Sequence, residues 1–237
     1  EGARKPSLKL RIDFGPGIGV RRSVGQVRAL YAPEDLVGRQ VAAVVNFPPR
    51  QIGKALSEAL TLGFADDEGR VVLDDIDLTL ERGGVLPSAV VAYETWGELN
   101  ADASNAVLVL HALTGDSHVI GHAGPGHATA GWWSGLLGDG KALDPAEWFI
   151  VAPNLIGGCQ GSTGPASIAP DGVEWGARFP YLTIRDQAAA QARLADELGI
   201  DRFAVVVGGS MGGMHALEWG AMFPDRVERI AVLAAPP

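Results

Sequence analysis

The fold of this chain is decided by residues 203–213, which read Phe-Ala-Val-Val-Val-Gly-Gly-Ser-Met-Gly-Gly. The apolar run Ala204 to Val207 indicates a buried strand. The next five residues, Gly208 to Gly212, fit the pattern G-x-S-x-G, and a helix-like stretch follows them. Glycines suit such a junction because only a residue without a Cβ lets a strand and a helix approach closely around a sharp turn. The pattern therefore predicts a strand, a tight turn that carries Ser210, and then a helix.

A strand, a sharp turn with G-x-S-x-G and a helix form the nucleophile elbow of α/β-hydrolases. Such a turn lifts the hydroxyl of Ser210 above the sheet. It also points the Met211 N–H and the helix N-terminus at an oxyanion that forms on a bound acyl group. The alternative is a glycine-rich turn of another α/β protein, in which Ser210 only caps the helix. We expect Ser210 to be a catalytic nucleophile.

Composition and charge indicate a globular chain with two modules. Hydrophobic residues make up 47% of the 237 residues and charged residues 20%, which allows a sizeable core. Residues 1–73 carry 11 Lys/Arg against 8 Asp/Glu, whereas residues 74–237 carry 8 against 20 and contain all six Trp. This break predicts a boundary between two domains near residue 73.

Several classes of protein are disfavoured by the sequence. An uninterrupted apolar run of the length of a transmembrane helix is missing, and residues 1–6 lack the apolar segment of a signal peptide. The single cysteine, Cys159, excludes an internal disulfide, suits a reducing compartment and has no identifiable base partner. C-x-x-C and H-E-x-x-H spacings are absent. We expect a cytoplasmic protein with a structural Cys159, no membrane partner and no metal site.

Residues 1–73 have the pattern of short strands separated by turns. Residues 8–14 alternate apolar and polar side chains, residues 15–17 break the pattern, and residues 19–24 resume it. Residues 40–47 form an apolar run that ends at two prolines. Short strands at this spacing favour a small barrel.

Three stretches of this segment resemble the CsaA-type tRNA-binding domain: residues 8–15, 31–41 and 44–52. The resemblance covers about residues 4–73 and implies a partial all-β OB-fold, since the family's first strand is missing here. In such a module, positive side chains line a path for tRNA phosphates, and the candidates are Arg21, Arg22, Arg50 and Lys54. The alternative is that these four are solvated surface charges.

Residues 74–237 alternate longer strands with helices, which favours a largely parallel sheet covered on both faces. The predicted elements are an antiparallel pair at 76–80 and 89–94, further strands at 107–111, 148–152 and 230–233, and helices at 183–198 and 212–222. Thr183 and Asp186 have the spacing of a capping box at the start of the first helix, and Gly199 follows its end.

Four stretches of the second segment together resemble homoserine O-acetyltransferases: residues 92–100, 110–118, 154–165 and 208–219. These are acyl-CoA-dependent enzymes at the entry to methionine synthesis. The resemblance covers about residues 74–237 and implies an α/β-hydrolase-type fold. It also implies acetyl-CoA or succinyl-CoA as a donor substrate, no permanently bound cofactor, homoserine or serine as acceptor, and a homodimer in the intact family.

The resemblance implies a ping-pong reaction at Ser210. Acyl-CoA acylates the hydroxyl, CoA leaves, and the hydroxyl of homoserine attacks the acyl-enzyme. The oxyanion needs two fixed donors, which are the Met211 N–H and, by resemblance, the Leu113 N–H. A general esterase is the alternative, disfavoured by the loop Gly-Gly-Cys-Gln-Gly-Ser-Thr-Gly-Pro at 157–165.

The remaining polar and aromatic candidates have weaker patterns. We expect His111 to brace a loop rather than act as a base, and His215 to point away from the nucleophile. His118, His122 and His127 lie in a glycine-rich loop without the spacing of a metal site. Gly131-Trp132-Trp133 either belongs to the core or helps to exclude water from the reaction.

The acid and the base of a catalytic triad are not found in the sequence. In this fold they follow the serine in the order Asp or Glu, then His, and no His follows His215 in the 237 residues. We therefore expect a C-terminally truncated sheet and an incomplete catalytic apparatus. The second functional hypothesis is a tRNA-binding or chaperone module at residues 1–73.

Overall fold

The computed structural model of the protein describes residues 8–25, 36–38, 41–45, 49–52, 55–64, 71–124, 127–158 and 160–235. The chain divides into two compact units, residues 1–67 and 68–237. This division falls before the boundary expected at residue 73, because residues from Val71 onward pair with the sheet of the second unit.

The first unit contains short strands that pair two by two. Its described strands are β1 (Leu8–Asp13), β2 (Val20–Gly25), β3 (Val41–Val44), β4 (Arg50–Ile52), β5 (Ala55–Ser57) and β6 (Leu60–Phe64). They form three antiparallel two-stranded sheets, β1–β2, β3–β6 and β4–β5. Residues along β1 alternate between half-buried and exposed, as its period of two predicts. The partial OB-fold stays a prediction.

The second unit contains the longer strands and both α-helices of the described chain. Its elements are β7 (Val71–Thr79), β8 (Val85–Trp96), β9 (Ala106–Leu110), β10 (Phe149–Pro153), α1 (Ile184–Leu198), β11 (Val205–Gly209), α2 (Met211–Met222) and β12 (Ile230–Leu233). Short 3-10 turns lie at Gly176–Arg178 and Pro224–Arg226.

These six strands form one sheet in the order β12-β11-β9-β10-β8-β7. Strands β9, β10, β11 and β12 are parallel, whereas β8 runs antiparallel to β10 and β7 antiparallel to β8. The predicted mostly parallel sheet and its antiparallel starting pair are confirmed. In an open sheet of this kind, ligands bind beyond the carboxyl ends of the parallel strands.

Helix α1 begins as the sequence predicted. The hydroxyl of Thr183 accepts a hydrogen bond from the Asp186 N–H, and the Asp186 carboxylate accepts one from the Thr183 N–H at 2.8 Å. The same carboxylate accepts a bond from the Glu81 N–H at 2.7 Å, which joins the helix start to the turn after β7. Gly199 ends the helix at φ 74°, a left-handed conformation that favours glycine.

The core fills the space on both sides of β9. Val107 and Val109, two residues apart and therefore on one face, pack with Val119, Leu137 and Ile150. Helix α2 packs against α1 and against β9, β11 and β12. Among the described helices, none combines the length and the apolar character needed to cross a bilayer.

The turn between β11 and α2 depends on glycines at the two points where backbones meet. A Cβ on Gly208 would collide with the carbonyl oxygen of Gly212, and a Cβ on Gly212 would collide with the carbonyl oxygen of Leu110. These obstacles are backbone atoms, which cannot rotate away as a side chain can. Helix α2 therefore starts against the carboxyl end of β9, and only glycine fits there.

We expect Gly212→Ala to lower the free energy of unfolding by about 3 kcal/mol, because the added methyl group overpacks a rigid backbone contact. Gly220→Ala is the matched control on the same helix, since its Cβ would lie 3.5 Å from the Ile230 side chain, an ordinary contact. The control should be stabilised by about 0.5–1 kcal/mol, since alanine favours a helix interior over glycine. Urea denaturation followed by Trp fluorescence measures both, because all six Trp lie in the second unit. Equal stability of the two variants would contradict the steric argument.

Candidate functional site

Ser210 lies at the junction of β11 and α2 in a conformation that serine rarely adopts. Its backbone angles are φ 54° and ψ −120°, and its residue surface is exposed. The Ser210 N–H donates to the Leu233 carbonyl at 2.9 Å, and its own carbonyl accepts from the Gly213 N–H at 3.0 Å. A strained non-glycine residue held by its neighbours is typical of functional sites. The geometry is that of a sharp strand-to-helix turn with an exposed serine.

Two backbone amides near this turn have no hydrogen-bond acceptor among the described residues. The Met211 N–H lies in the first turn of α2, where helical partners are missing. The Leu113 N–H lies in the loop after β9, and Leu113 is 75% exposed. Both residues line one pocket, together with His111. Their assignment as oxyanion donors stays a prediction, but both amides are available to a ligand.

The pocket has a volume of about 700 Å³ and lies beyond the carboxyl ends of β9 and β10. Its lining includes the apolar residues Phe179, Pro180 and Leu182 and the amide residues Asn154 and Gln160. None of the described residues that line it carries a charged side chain. The pocket suits a neutral, partly apolar ligand group.

The loop that contains Leu113 is braced by a buried polar network. Asn154 accepts a hydrogen bond from the Ser117 N–H at 2.7 Å and donates to the Gln160 carbonyl at 2.6 Å. The Ser117 hydroxyl donates to Oε1 of Glu94 at 2.9 Å. The network therefore links β8, the loop after β9 and the loop after β10, which are the elements around the pocket.

His111 braces the same loop, as the sequence predicted. Its Nδ1 lies 2.7 Å from the carbonyl oxygen of Ala112, so Nδ1 carries the proton and donates. Burial lowers the pKa of His111 below its usual range, and the hydrogen bond to Ala112 opposes this shift less strongly. Nε2 is buried without a hydrogen-bond partner among the described residues.

His215 faces α1 rather than the solvent. Gln191 accepts a hydrogen bond from the indole N–H of Trp219 at 2.8 Å, which fixes its amide so that its NH₂ donates to Nδ1 of His215 at 3.0 Å. Burial, and secondarily the charge of neighbouring His111, lowers the pKa of His215 to about 4. His215 is therefore neutral at pH 7 and belongs to the helix–helix packing.

Three side chains that the sequence did not group together meet beside β8. They are Glu94, His118 and His127, whose potential ligand atoms lie within 4.8 Å of one another. The sequence analysis considered only the spacing of the loop histidines and so missed Glu94, which lies 24 residues before His118. His122 is exposed and does not belong to this group.

The two tryptophans of the following loop have different surroundings. Trp132 is 37% exposed, and its indole N–H donates to the Asp116 carbonyl at 2.9 Å. Trp133 packs against the core cluster on the Val107 face of the sheet. Neither lines the pocket at Met211. The role of this loop in excluding water stays a prediction.

The four candidate RNA contacts lie in the first unit. Arg21 is exposed on β2. Arg22 is also exposed but forms a two-pronged ion pair with Glu58, with bonds of 2.9 and 3.0 Å. Hydrogen bonds from Arg22 lower the pKa of Glu58 to about 2. Arg50 begins β4, while Lys54, like Cys159 in the second unit, lies outside the described residues.

Comparisons with known proteins agree with this geometry. Residues 105–237 match the family model described as "alpha/beta hydrolase fold". A homoserine O-acetyltransferase from Leifsonia xyli subsp. xyli is 68% identical over 157 residues, which are 66% of this chain and 39% of that protein. The chain thus spans about two fifths of the length of such curated relatives.

Solved structures of two kinds share the fold. The homoserine O-acetyltransferase from Bacillus anthracis matches with a TM-score of 0.66 and 34% identity, over 71% of this chain and 47% of that one. Esterase E22 matches with a TM-score of 0.63 and 33% identity, over 68% and 45% of the two chains. At these identities both proteins resemble this chain in sequence as well as in fold.

The lowered pKa of His215 predicts a loss of stability in mild acid. The unfolded chain binds a proton near pH 6.5 and the folded chain only near pH 4, so the free energy of unfolding falls as the pH drops between these values. The full shift corresponds to about 3 kcal/mol. We expect His215→Gln to flatten the dependence of urea midpoints on pH between 7 and 5, while exposed His122→Gln keeps it. An unchanged slope in His215→Gln would refute this assignment.

Proposed function

Because the chain belongs to the α/β-hydrolase fold family, we propose that residues 74–237 carry the nucleophile and the oxyanion donors of a homoserine O-acetyltransferase. The observation that carries this proposal is the exposed, strained Ser210 next to Met211, which lines the pocket and whose N–H has no acceptor among the described residues. The relatives of that name support the choice of substrate.

In the first half of the proposed reaction, Oγ of Ser210 attacks the carbonyl carbon of acetyl-CoA. The carbonyl oxygen becomes negatively charged and accepts hydrogen bonds from the Met211 and Leu113 amides. The C–S bond then breaks, and CoA leaves as a thiol after it receives the serine proton through a base. The products are acetylated Ser210 and free CoA, so the acyl donor is a consumed substrate rather than a bound cofactor.

In the second half, the side-chain hydroxyl of homoserine attacks the acetyl ester and loses its proton to the same base. The ester bond to Ser210 breaks, which gives O-acetylhomoserine and restores the serine hydroxyl. Water competes with homoserine at this step, so the acceptor must be held in line and water excluded. The uncharged pocket suits the neutral acyl and thioester end of the donor, and we assign the charged amine and carboxylate of homoserine to groups outside its described lining.

The base of this reaction is neither His111 nor His215. Nε2 of His111 is buried without a hydrogen-bond partner among the described residues, and burial lowers the pKa of its ring. The neutral tautomer of His215 carries its proton on Nε2 because Nδ1 accepts from Gln191. We assign the base and its acid partner to the portion of the relatives' length that these 237 residues do not match. The triad order in this fold, serine before acid before histidine, supports this assignment.

Ester hydrolysis is the alternative, favoured by the similarity to esterase E22. The two reactions share Ser210, the oxyanion donors and the acyl-enzyme, and differ only in whether an alcohol or water accepts the acyl group. Supplying both acceptors in one assay therefore separates them.

We expect a chimera of residues 68–237 joined to the remaining C-terminal part of the Leifsonia relative to form O-acetylhomoserine from acetyl-CoA and homoserine. The 237-residue chain alone should be slower by orders of magnitude, because oxyanion donors without a base give only residual catalysis. Ser210→Ala should abolish turnover in the chimera, and the exposed Ser134→Ala should leave it unchanged. Mass spectrometry measures both the product and the acetylated serine.

Each result of this assay decides between the alternatives. Acetate formed in excess of O-acetylhomoserine at saturating homoserine would favour the esterase. Rapid turnover by the 237-residue chain alone would overturn the assignment of the base. Turnover by the Ser210→Ala chimera would overturn the nucleophile.

As a second candidate function, we propose that the first unit binds tRNA. The support is the resemblance of residues 8–15, 31–41 and 44–52 to tRNA-binding modules and the exposure of Arg21. Arg22 is the weaker contact of the two, because the carboxylate of Glu58 already offsets its charge.

We expect Arg21→Gln to weaken tRNA binding more than Arg22→Gln, because Glu58 pairs directly with Arg22, whereas no carboxylate among the described residues forms an ion pair with Arg21. Gel shifts at several salt concentrations measure this, and loss of one phosphate contact should lower the salt slope by about one. Glu58→Gln is the control that frees Arg22, and it should strengthen binding. Binding that is equal in all three variants would contradict the proposal.

A further inference from the structure

We propose that Glu94, His118 and His127 form a binding site for a divalent transition metal ion of the Zn²⁺ type. The site joins β8 to the loop that follows the Leu113 segment. None of the three residues lines the pocket at Met211, so the site is separate from the proposed acyl-transfer centre. Failure of the metal-site proposal would therefore leave the acyl-transfer proposal unaffected, and the reverse also holds.

The chemistry of the three side chains selects the class of ion. Two imidazole nitrogens and one carboxylate oxygen are the donors that Zn²⁺ prefers, often with water in a fourth position. Mg²⁺ and Ca²⁺ prefer oxygen donors throughout. The set therefore favours a borderline transition metal over the hard cations.

The distances suit an ion between Glu94 and His118. Oε2 of Glu94 lies 3.2 Å from Nδ1 of His118. This is about the separation of two ligand atoms in a tetrahedral zinc site, for bonds of roughly 2.0–2.2 Å. An ion at this position takes the place of the direct contact between the two side chains.

Both of these ligands are already oriented by other contacts. Oε1 of Glu94 accepts a hydrogen bond from the Ser117 hydroxyl at 2.9 Å, which leaves Oε2 directed at His118. The side chain of His118 is 8% exposed, and its backbone N–H donates to the Asp116 carboxylate at 2.9 Å. Gly121 packs on the His118 ring, where a Cβ would lie 2.6 Å from Cε1. Such outer contacts raise metal affinity by fixing the ligands in advance.

His127 completes the site after a rotation of its ring. The rings of His118 and His127 stack with centroids 3.7 Å apart and planes 13° apart. Ligand lone pairs lie in the ring plane, so His127 must turn out of the stack to reach an ion at Nδ1 of His118. His127 is only half-buried, and no hydrogen bond to a described residue holds its ring, so this rotation meets little resistance.

The test is metal titration of the tag-free 237-residue chain. We expect calorimetry with Zn²⁺ to give one ion per chain, Co²⁺ to give the visible absorption of a tetrahedral site, and Mg²⁺ in excess to leave Zn²⁺ binding unchanged. His127→Ala should weaken Zn²⁺ binding by at least about 10-fold, since even the loss of an outer contact costs 10–100-fold. His122→Ala removes an exposed histidine from the same loop and should bind as the unmodified chain does.

A second variant separates loss of a ligand from loss of fold. Glu94→Gln has the same shape and keeps an acceptor for Ser117, so it should retain the circular dichroism spectrum yet bind Zn²⁺ at least about 10-fold more weakly. Absence of saturable binding by the unmodified chain would overturn the proposal. So would unchanged affinity in folded His127→Ala and Glu94→Gln, or an equal loss in His122→Ala.

Discussion

The close contact between the start of α2 and the end of β9 is the constraint on which the candidate site depends. Gly212 touches the Leu110 carbonyl, and Gly208 touches the Gly212 carbonyl, so the chain must reverse between them within a few residues. Ser210 occupies that reversal and adopts φ 54° as a consequence. The strain is of the order of 1–3 kcal/mol and is offset by the surrounding packing. An exposed serine, and a Met211 amide without an acceptor among the described residues, both follow from this one contact.

The loops around the pocket need a different kind of support, since their backbone groups lie beyond the sheet ladder. Buried amide side chains supply it. Gln187 on α1 both accepts from the Ile156 N–H, at 3.1 Å, and donates to the Ile156 carbonyl, at 2.7 Å. Asn154 does the same between Ser117 and Gln160. Each amide replaces the partner that a neighbouring strand would provide, which satisfies buried polar groups and holds the pocket wall in place.

The sequence predicted those features whose conformation depends on neighbouring residues. Three examples are the capping box at Thr183, the glycine after α1 and the G-x-S-x-G turn. In each of them the residue types themselves favour the observed backbone conformation. Contacts between distant segments left no such signal. The pair Arg22–Glu58 joins residues 36 apart, and Glu94 meets two histidines from a later loop. The first pair depends on how the strands of the first unit come together, and the second contact depends on the strand order of the six-stranded sheet. A single sequence does not encode either arrangement as a local pattern.

The buried histidines His111 and His215 differ in tautomer but both have a lowered pKa. Nδ1 of His111 donates to a carbonyl and Nδ1 of His215 accepts from an amide, so the two rings are different tautomers with different tasks. Burial lowers the pKa of both, and a proton on His111 would further disfavour one on His215. Both rings are therefore neutral at pH 7, and no described residue lining the pocket is charged. Under the proposed function, the negative charge that develops on the acyl oxygen would meet the backbone dipoles of Met211 and Leu113. Such dipoles are fixed before the substrate arrives, so they stabilise the transition state without a cost of reorganisation.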